Sequence, residues 1–221
     1  MRGLENFHKA VYSGDNRFDF PELTAYKYTA ELGEDIKAAH WIDFDSARTY
    51  ISANNNALHF YVDDYKFQCV WNMPDRYINF LKRFDYVVMP DFSLYYDYPV
   101  ALQIYNKYRN HWLFNYFGEN GVNFIPNISL STPDNYIWSL MGYPKHSVVA
   151  YSDIGTSKFT ECKGISESAV AAMVEELEPE KVIYFTRSAN NVPDGEIYIP
   201  AVLPYRKKDS VIYGTGEKKE R

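Results

Sequence analysis

The sequence predicts a single α/β domain: a mostly parallel sheet with flanking helices, either doubly wound or curled into part of a barrel. Three observations lead there. Short apolar runs alternate with amphipathic helix patterns from residue 57 onward, the rhythm of strand–helix–strand crossovers. Polar residues follow each apolar run, as they do at the ends of parallel strands. The 221 residues suit one domain, and a chain of this size buries roughly 70–75% of its unfolded surface.

Taken in order, Ala57–Val62 (ALHFYV) is the first confident strand. Asn72-Met-Pro-Asp opens a helix with Tyr77, Phe80, Leu81 and Phe84 on one face. Tyr86–Met89 (YVVM) is a strand. Asp97 and Pro99 start a helix carrying Val100, Ile104, Tyr108 and Trp112 at helical spacing, which stops by Gly118 or Gly121. Asn123–Ile128 is a strand with a bulge or early end at Pro126. A short helix over 134–141 is closed by Gly142 and Pro144, and Ser147–Tyr151 is the next strand. Ser166 caps a helix with Val170, Met173, Val174 and Leu177 inward, ended by Pro179. Lys181–Phe185 and Glu196–Ile199 complete the set.

The first fifty residues give weaker signals. Ile36–Trp41 and Phe44–Ile51 suggest short elements around a turn at Asp43, and Phe18–Pro21 an extended segment. The units found are too few for an eight-fold barrel unless this region supplies two more. The domain therefore runs over 1–204, divided into an N-terminal part (1–56) and regular βα units (57–204), followed by a charged tail (205–221).

Composition narrows the function. No apolar stretch is long enough to span a membrane, and charged residues interrupt Met1–Tyr12, so no secretory signal is expected there. Two distant cysteines, Cys69 and Cys162, fit a reducing cytoplasm. The net charge of −6 argues against direct nucleic-acid binding. From Tyr205 onward six basic residues against three acidic ones give the tail +3 and leave −9 for the rest. The 21 Tyr, 14 Phe and 4 Trp form a heavy aromatic load, for which a Tyr- and Phe-favouring genome is the simpler explanation and a functional surface the other.

Candidate chemistry gathers at the strand ends. Asp63 and Asp64 follow the first strand, Asp91 and Ser93 the second, Asn127 and Ser129 the third. Ser152, Asp153 and Gly155 follow the fourth, and Thr186 and Arg187 the fifth. Ligands of parallel α/β sheets bind there, where loops and helix N-termini converge. The same residue types also cap helices and start turns. Asp91, Ser93, Asp64 and Ser152 are the candidate catalytic groups, and Arg109, Asn127, Ser129, Gly155 and Arg187 the candidate ligand contacts. Arg109, in mid-helix, is equally suited to a structural ion pair. Asp63, Asp91 and Asp153 would suit Mg²⁺, which favours carboxylate oxygens. No dinucleotide or P-loop glycine pattern, zinc-protease motif or nucleophile elbow occurs, and the five histidines lack ligand spacing; His59, inside a strand, suits the core.

Several runs together resemble a known family. An apolar strand ends in Asp63-Asp64, a W-x-x-P start spans Trp71 to Pro74, and PDFS-x-Y-x-x-x-P spans Pro90 to Pro99. Tyr108-Arg109, Ile125-Pro126 and Val149 to Gly155 follow. Over roughly residues 20 to 200 this is similar to domain of unknown function 4417, a family of phages, prophages and plasmid-type elements. Leu130 stands where the family usually has Trp, and Asp153 where it often has Thr, which weakens both an aromatic ligand contact and a shared metal set. The resemblance implies a mobile-element origin and supplies no reaction.

Two functions remain open. One is an enzyme acting on a nucleotide or phosphorylated small molecule in the strand-end cleft. The other is a non-catalytic acidic protein that engages a host replication or defence protein through its Tyr-rich surface.

Overall fold

The structure, a computed structural model, describes residues 9–49, 55–154 and 163–201; of 163–166 only the backbone is described. Gly155, Cys162, the cap at Ser166 and the 205–221 tail lie outside the described residues or side chains.

The N-terminal region supplies one strand. Thr29 caps α1 (Ala30–Ala38), its hydroxyl accepting from Leu32 N, and β1 (His40–Asp43) follows directly. Asp43 then caps α2 (Phe44–Ala47). Next come β2 (Asn56–His59) and α3 (Asp64–Asn72), a helix the sequence reading missed. Its apolar residues Phe67, Val70 and Trp71 are buried. A single 3-10 turn over Pro74–Tyr77 leads into α4 (Ile78–Leu81), so the expected helix here is broken into two short pieces. Then follow β3 (Tyr86–Val88), α5 (Val100–Glu119), β4 (Phe124–Ile125), β5 (Asn127–Ile128) and α6 (Tyr136–Ser139). β6 (Val148–Ser152), α7 (Lys163–Leu177), β7 (Lys181–Thr186) and β8 (Ile197–Pro200) follow within the described residues.

All strand pairs are parallel, in the orders β1-β2-β3-β4 and β5-β6-β7-β8. Pro126 separates β4 from β5, as a residue without an amide hydrogen must interrupt a ladder. Its carbonyl still accepts from Ala150 N at 2.7 Å, so the two sheets run on as one surface.

That surface is curled. Trp41 in β1 and Phe185 in β7 are five strand positions apart, about 24 Å in a flat sheet at about 4.8 Å per strand. Their rings meet at 4.9 Å. One set of alternating residues forms a single inner cluster, including Trp41, Ala57, Val88, Ile125, Ala150 and Ile183. The opposite set packs outward against helices: Leu58, Val87 and Phe124 against α3 to α5, and Val149, Val182 and Tyr184 against α7. Of the two arrangements left open by the sequence, this is the barrel-like one. Among the described residues β1 and β8 do not pair; α1 lies against β8, and its Ile36 joins the inner cluster.

α5 departs from its expected stripe. Val100 is half exposed, whereas Gln103, Asn106, Lys107, Arg109, Asn110 and His111 are buried. Gln103, Asn106, Asn110 and His111 hold loops, a role that apolar periodicity does not register. Val174 of α7, expected inward, is likewise exposed.

Candidate functional site

In a parallel barrel every strand's carboxyl end opens on the same rim, so the polar residues after β2, β3, β5, β6 and β7 share one mouth. The β3 loop is the most elaborately fixed. Asn110 clamps Phe92 from both sides, its Oδ1 accepting from Phe92 N (2.8 Å) and its Nδ2 donating to Phe92 O (3.1 Å). Asn106 Nδ2 donates to Ser93 O at 2.8 Å. Ser93 in turn donates to Asp64, from its amide at 3.1 Å and its hydroxyl at 2.8 Å. The PDFS run is thus a rigid bridge between α3 and α5.

Asp91 emerges from this bridge toward β5. Ser129 donates its hydroxyl to Asp91 Oδ1, and Asn127 Nδ2 donates to Ser129 Oγ at 3.2 Å. Tyr61 donates to Asn127 Oδ1 at 2.6 Å, and Tyr143 to the Asn127 carbonyl at 2.5 Å. Burial pushes the Asp91 carboxyl up to about 6, and the Asp64 charge adds to this; the bonds from Ser129 and Asn127 pull it back. Asp64 is raised by burial too, against the Ser93 bonds and the charge of Arg109. The mouth therefore holds two carboxylates, both raised by burial and each with different partners.

Arg109 is engaged within the fold. Its guanidinium lies 3.6 Å from the Phe92 ring centre and donates to Gln68 Oε1 (3.0 Å) and Asn106 Oδ1 (2.5 Å). Arg187 is exposed just beyond β7, with no hydrogen bond or ion pair to another described residue.

A second polar group sits across the mouth. Ser152 Oγ donates to Phe185 O at 3.1 Å and accepts from Ile154 N, and Asp153 accepts from Thr186 (2.9 Å) and Asn191 (3.3 Å). Asp63 is exposed at the start of α3. Among the described residues no three His, Cys, Asp or Glu side chains converge as metal ligands do.

Sequence reasoning missed the floor of the mouth. His59, buried as expected, lies under Tyr61 and Phe185, with ring centres 5.2 and 5.4 Å away. Burial lowers its imidazole to about 4, and the Asp43 charge on the neighbouring strand opposes this. Tyr61 could have been found by parity: in HFYVDD it shares a face with His59 and Asp63. Nothing local marks Tyr143.

A barrel-like α/β domain with a carboxylate-bearing mouth is the class that fold and site define. The chain belongs to the family described as domain of unknown function 4417, whose profile matches residues 16–205. The Gene 1 protein of Mycobacterium phage L5 is 30% identical over 171 residues, covering 76% of this chain and 75% of that protein. The Gene 1 protein of Mycobacterium phage D29 is 26% identical over 203 residues, covering 87% and 73%. No solved structure matches the chain significantly.

Proposed function

We propose that the protein is an enzyme that transfers a proton to or from a small molecule held in the barrel mouth, with Asp91 as general acid or base. The observation that carries this is Asp91 itself: a recessed carboxyl pushed to about 6, oriented by Ser129 and set beside a second carboxylate on the Ser93 bridge. A general acid–base works best with its pKa near the working pH. A nucleotide or phosphorylated small molecule is the substrate class in view. With Arg109 held by Gln68 and Asn106, its anionic group falls to Arg187 at the rim.

The test is a thermal-shift screen with Mg²⁺, Mn²⁺, nucleotides and sugar phosphates on wild type and Asp91→Asn. A ligand that binds only the folded state raises the midpoint by mass action. A rise of several degrees that the variant loses supports the reading. Equal shifts in both proteins, or none in either, would sink it.

The second reading, an acidic binding protein, is favoured by Tyr65, Tyr96 and Ile137, which are 75%, 72% and 80% exposed. It predicts that replacing these three abolishes capture of a host protein while Asp91→Asn leaves capture intact.

A further inference from the structure

We infer that Lys107 and His111 form an acid-sensitive latch, which holds the 18–23 segment onto α5 and releases it as pH falls. One turn apart on α5, Lys107 Nζ and His111 Nε2 are 2.8 Å apart, and the residues are 2% and 0% exposed. The other imidazole nitrogen, Nδ1, lies 2.7 Å from the Pro21 carbonyl. A carbonyl can only accept, so Nδ1 carries the hydrogen and Nε2 presents its lone pair to the lysine. Whether the amine is charged or neutral, the pair is satisfied.

A proton on Nε2 changes that. With the amine charged as well, two donors would then face each other at hydrogen-bond distance, and an imidazolium would lie against an ammonium. Among the described residues, the surroundings offer no counter-charge. The N-terminal segment contributes the Phe20 ring, 5.1 Å from Nζ, and the Pro21 carbonyl. The loop before β6 contributes the Tyr143 ring, 4.2 Å from Nζ, and Gly142. α5 itself adds the Asn115 amide, bonded to the His111 carbonyl. The two acids of the segment, Asp19 and Glu22, are both exposed, and Glu22 accepts from Asp15 N instead. Among the described residues, Tyr143 is the titratable side chain whose ring packs on both members of the pair, and burial keeps it neutral. The two rings can cover a single cation, but they cannot neutralise a second charge.

The second proton therefore enters only if Nζ and Nε2 separate, and each is tied to something that must move. His111 holds Pro21, and Leu23 N is fixed to the Gly142 carbonyl at 2.8 Å. Gly142 has φ +79, and a Cβ there would come within 3.1 Å of the imidazole and 3.0 Å of the Pro21 carbonyl, so the three parts pack with no room for a side chain. Tyr143 joins the latch to the mouth: the ring that faces Lys107 carries the hydroxyl bonded to Asn127 O. Opening the latch withdraws one of the two tyrosines that fix Asn127 beside Ser129 and Asp91.

Amide hydrogen exchange of the full chain at pH 7.5 and pH 5, corrected for intrinsic rates, tests this. Protection of residues 18–23 should fall about tenfold or more relative to β6 and β7. In His111→Gln, which keeps a non-titrating acceptor, protection of 18–23 relative to β6 and β7 should be the same at both pH values. A uniform loss across the chain, an unchanged 18–23 segment in wild type, or the same local loss in His111→Gln would overturn the latch. A ring NMR titration of the wild type is a check that needs no variant. His111 should stay neutral until the segment opens, and an ordinary titration near pH 6.5 with the segment still closed would also overturn it.

Discussion

The Ser129 hydroxyl donates to the Asp91 carboxylate from the end of a neighbouring strand position, joining the β3 loop to the β5 loop. A donor stabilises the ionised form, so Ser129 opposes the rise that burial imposes on Asp91. Ser129→Ala should move the Asp91 midpoint further up, by about one pH unit, as read by carboxyl NMR. An unchanged midpoint would mean the bond does not orient this carboxylate in solution.

The same shift has a stability consequence. The folded pKa of Asp91 is raised above its ordinary value of 3.8 to about 6, so its contribution is fully present below pH 3.8 and is lost as pH rises through about 6. Above pH 7 the ionised carboxyl is a burden. Asp91→Asn should therefore be more stable than wild type at pH 8, by about 1–2 kcal/mol after allowance for screening, with the gain disappearing near pH 4. Urea midpoints at the two pH values measure this. A variant that is equally destabilised at both would show that Asp91 is a structural group.

Arg109 separates a brace from a ligand contact. Stacked on Phe92 and forked between Gln68 and Asn106, it cannot be replaced by a lysine without loss of both features. Arg109→Lys should lower stability by about 2–4 kcal/mol, a range set by leaving buried partners unpaired. Arg187→Lys, at an exposed position, should leave stability within about 0.5 kcal/mol. If Arg109→Lys keeps its stability and loses only ligand response, Arg109 belongs to the binding surface after all.

Much of this was legible because strands and their polar ends are local signals. The expected strands at 86–89, 147–151, 181–185 and 196–199 each lie within a residue of β3, β6, β7 and β8, and Pro126 breaks its strand as its missing donor demands. Asp91, Asn127 and Ser129, read only as neighbours of strand ends, share one hydrogen-bonded chain. What stayed hidden was tertiary. β1 is four residues long between two short helices, and α3 has three buried apolar residues in nine, too brief for a periodic signal. The first part of α5's buried face, Gln103 to His111, is polar because loops from elsewhere in the chain bond to it, and helix periodicity carries no trace of that. Curling is also non-local: it depends on how Trp41 and Phe185 fill the space between strands that never pair.

That contact gives a test of closure. Trp41 and Phe185 meet edge to face, and Trp41 also donates its indole to the Ile36 carbonyl at 3.0 Å. Phe185→Ala should cost about 3–5 kcal/mol as a large-to-small change in a packed interior. In a double-mutant cycle with Trp41→Leu, the coupling should be about 0.5–1.5 kcal/mol, the range for such ring pairs. Additive effects would mean that the two rings do not meet and that the sheet is open.

His59 sets the behaviour in acid. Its folded pKa is lowered from 6.5 to about 4, so the stability it contributes is full above 6.5 and is lost as pH falls through the interval down to about 4. By itself this is worth roughly 3 kcal/mol across that window. His111 is lowered in the same sense, so the two losses add, and no single substitution removes the whole slope. His59→Asn keeps a side-chain acceptor near the Tyr61 amide and removes the titration. Its unfolding midpoint should depend less on pH between 6.5 and 4 than that of wild type, while remaining lower than wild type at pH 7 because the ring contacts with Tyr61 and Phe185 are gone. Equal slopes in the two proteins would place the acid sensitivity in His111 and its lysine partner alone, and would make the floor of the mouth electrically silent.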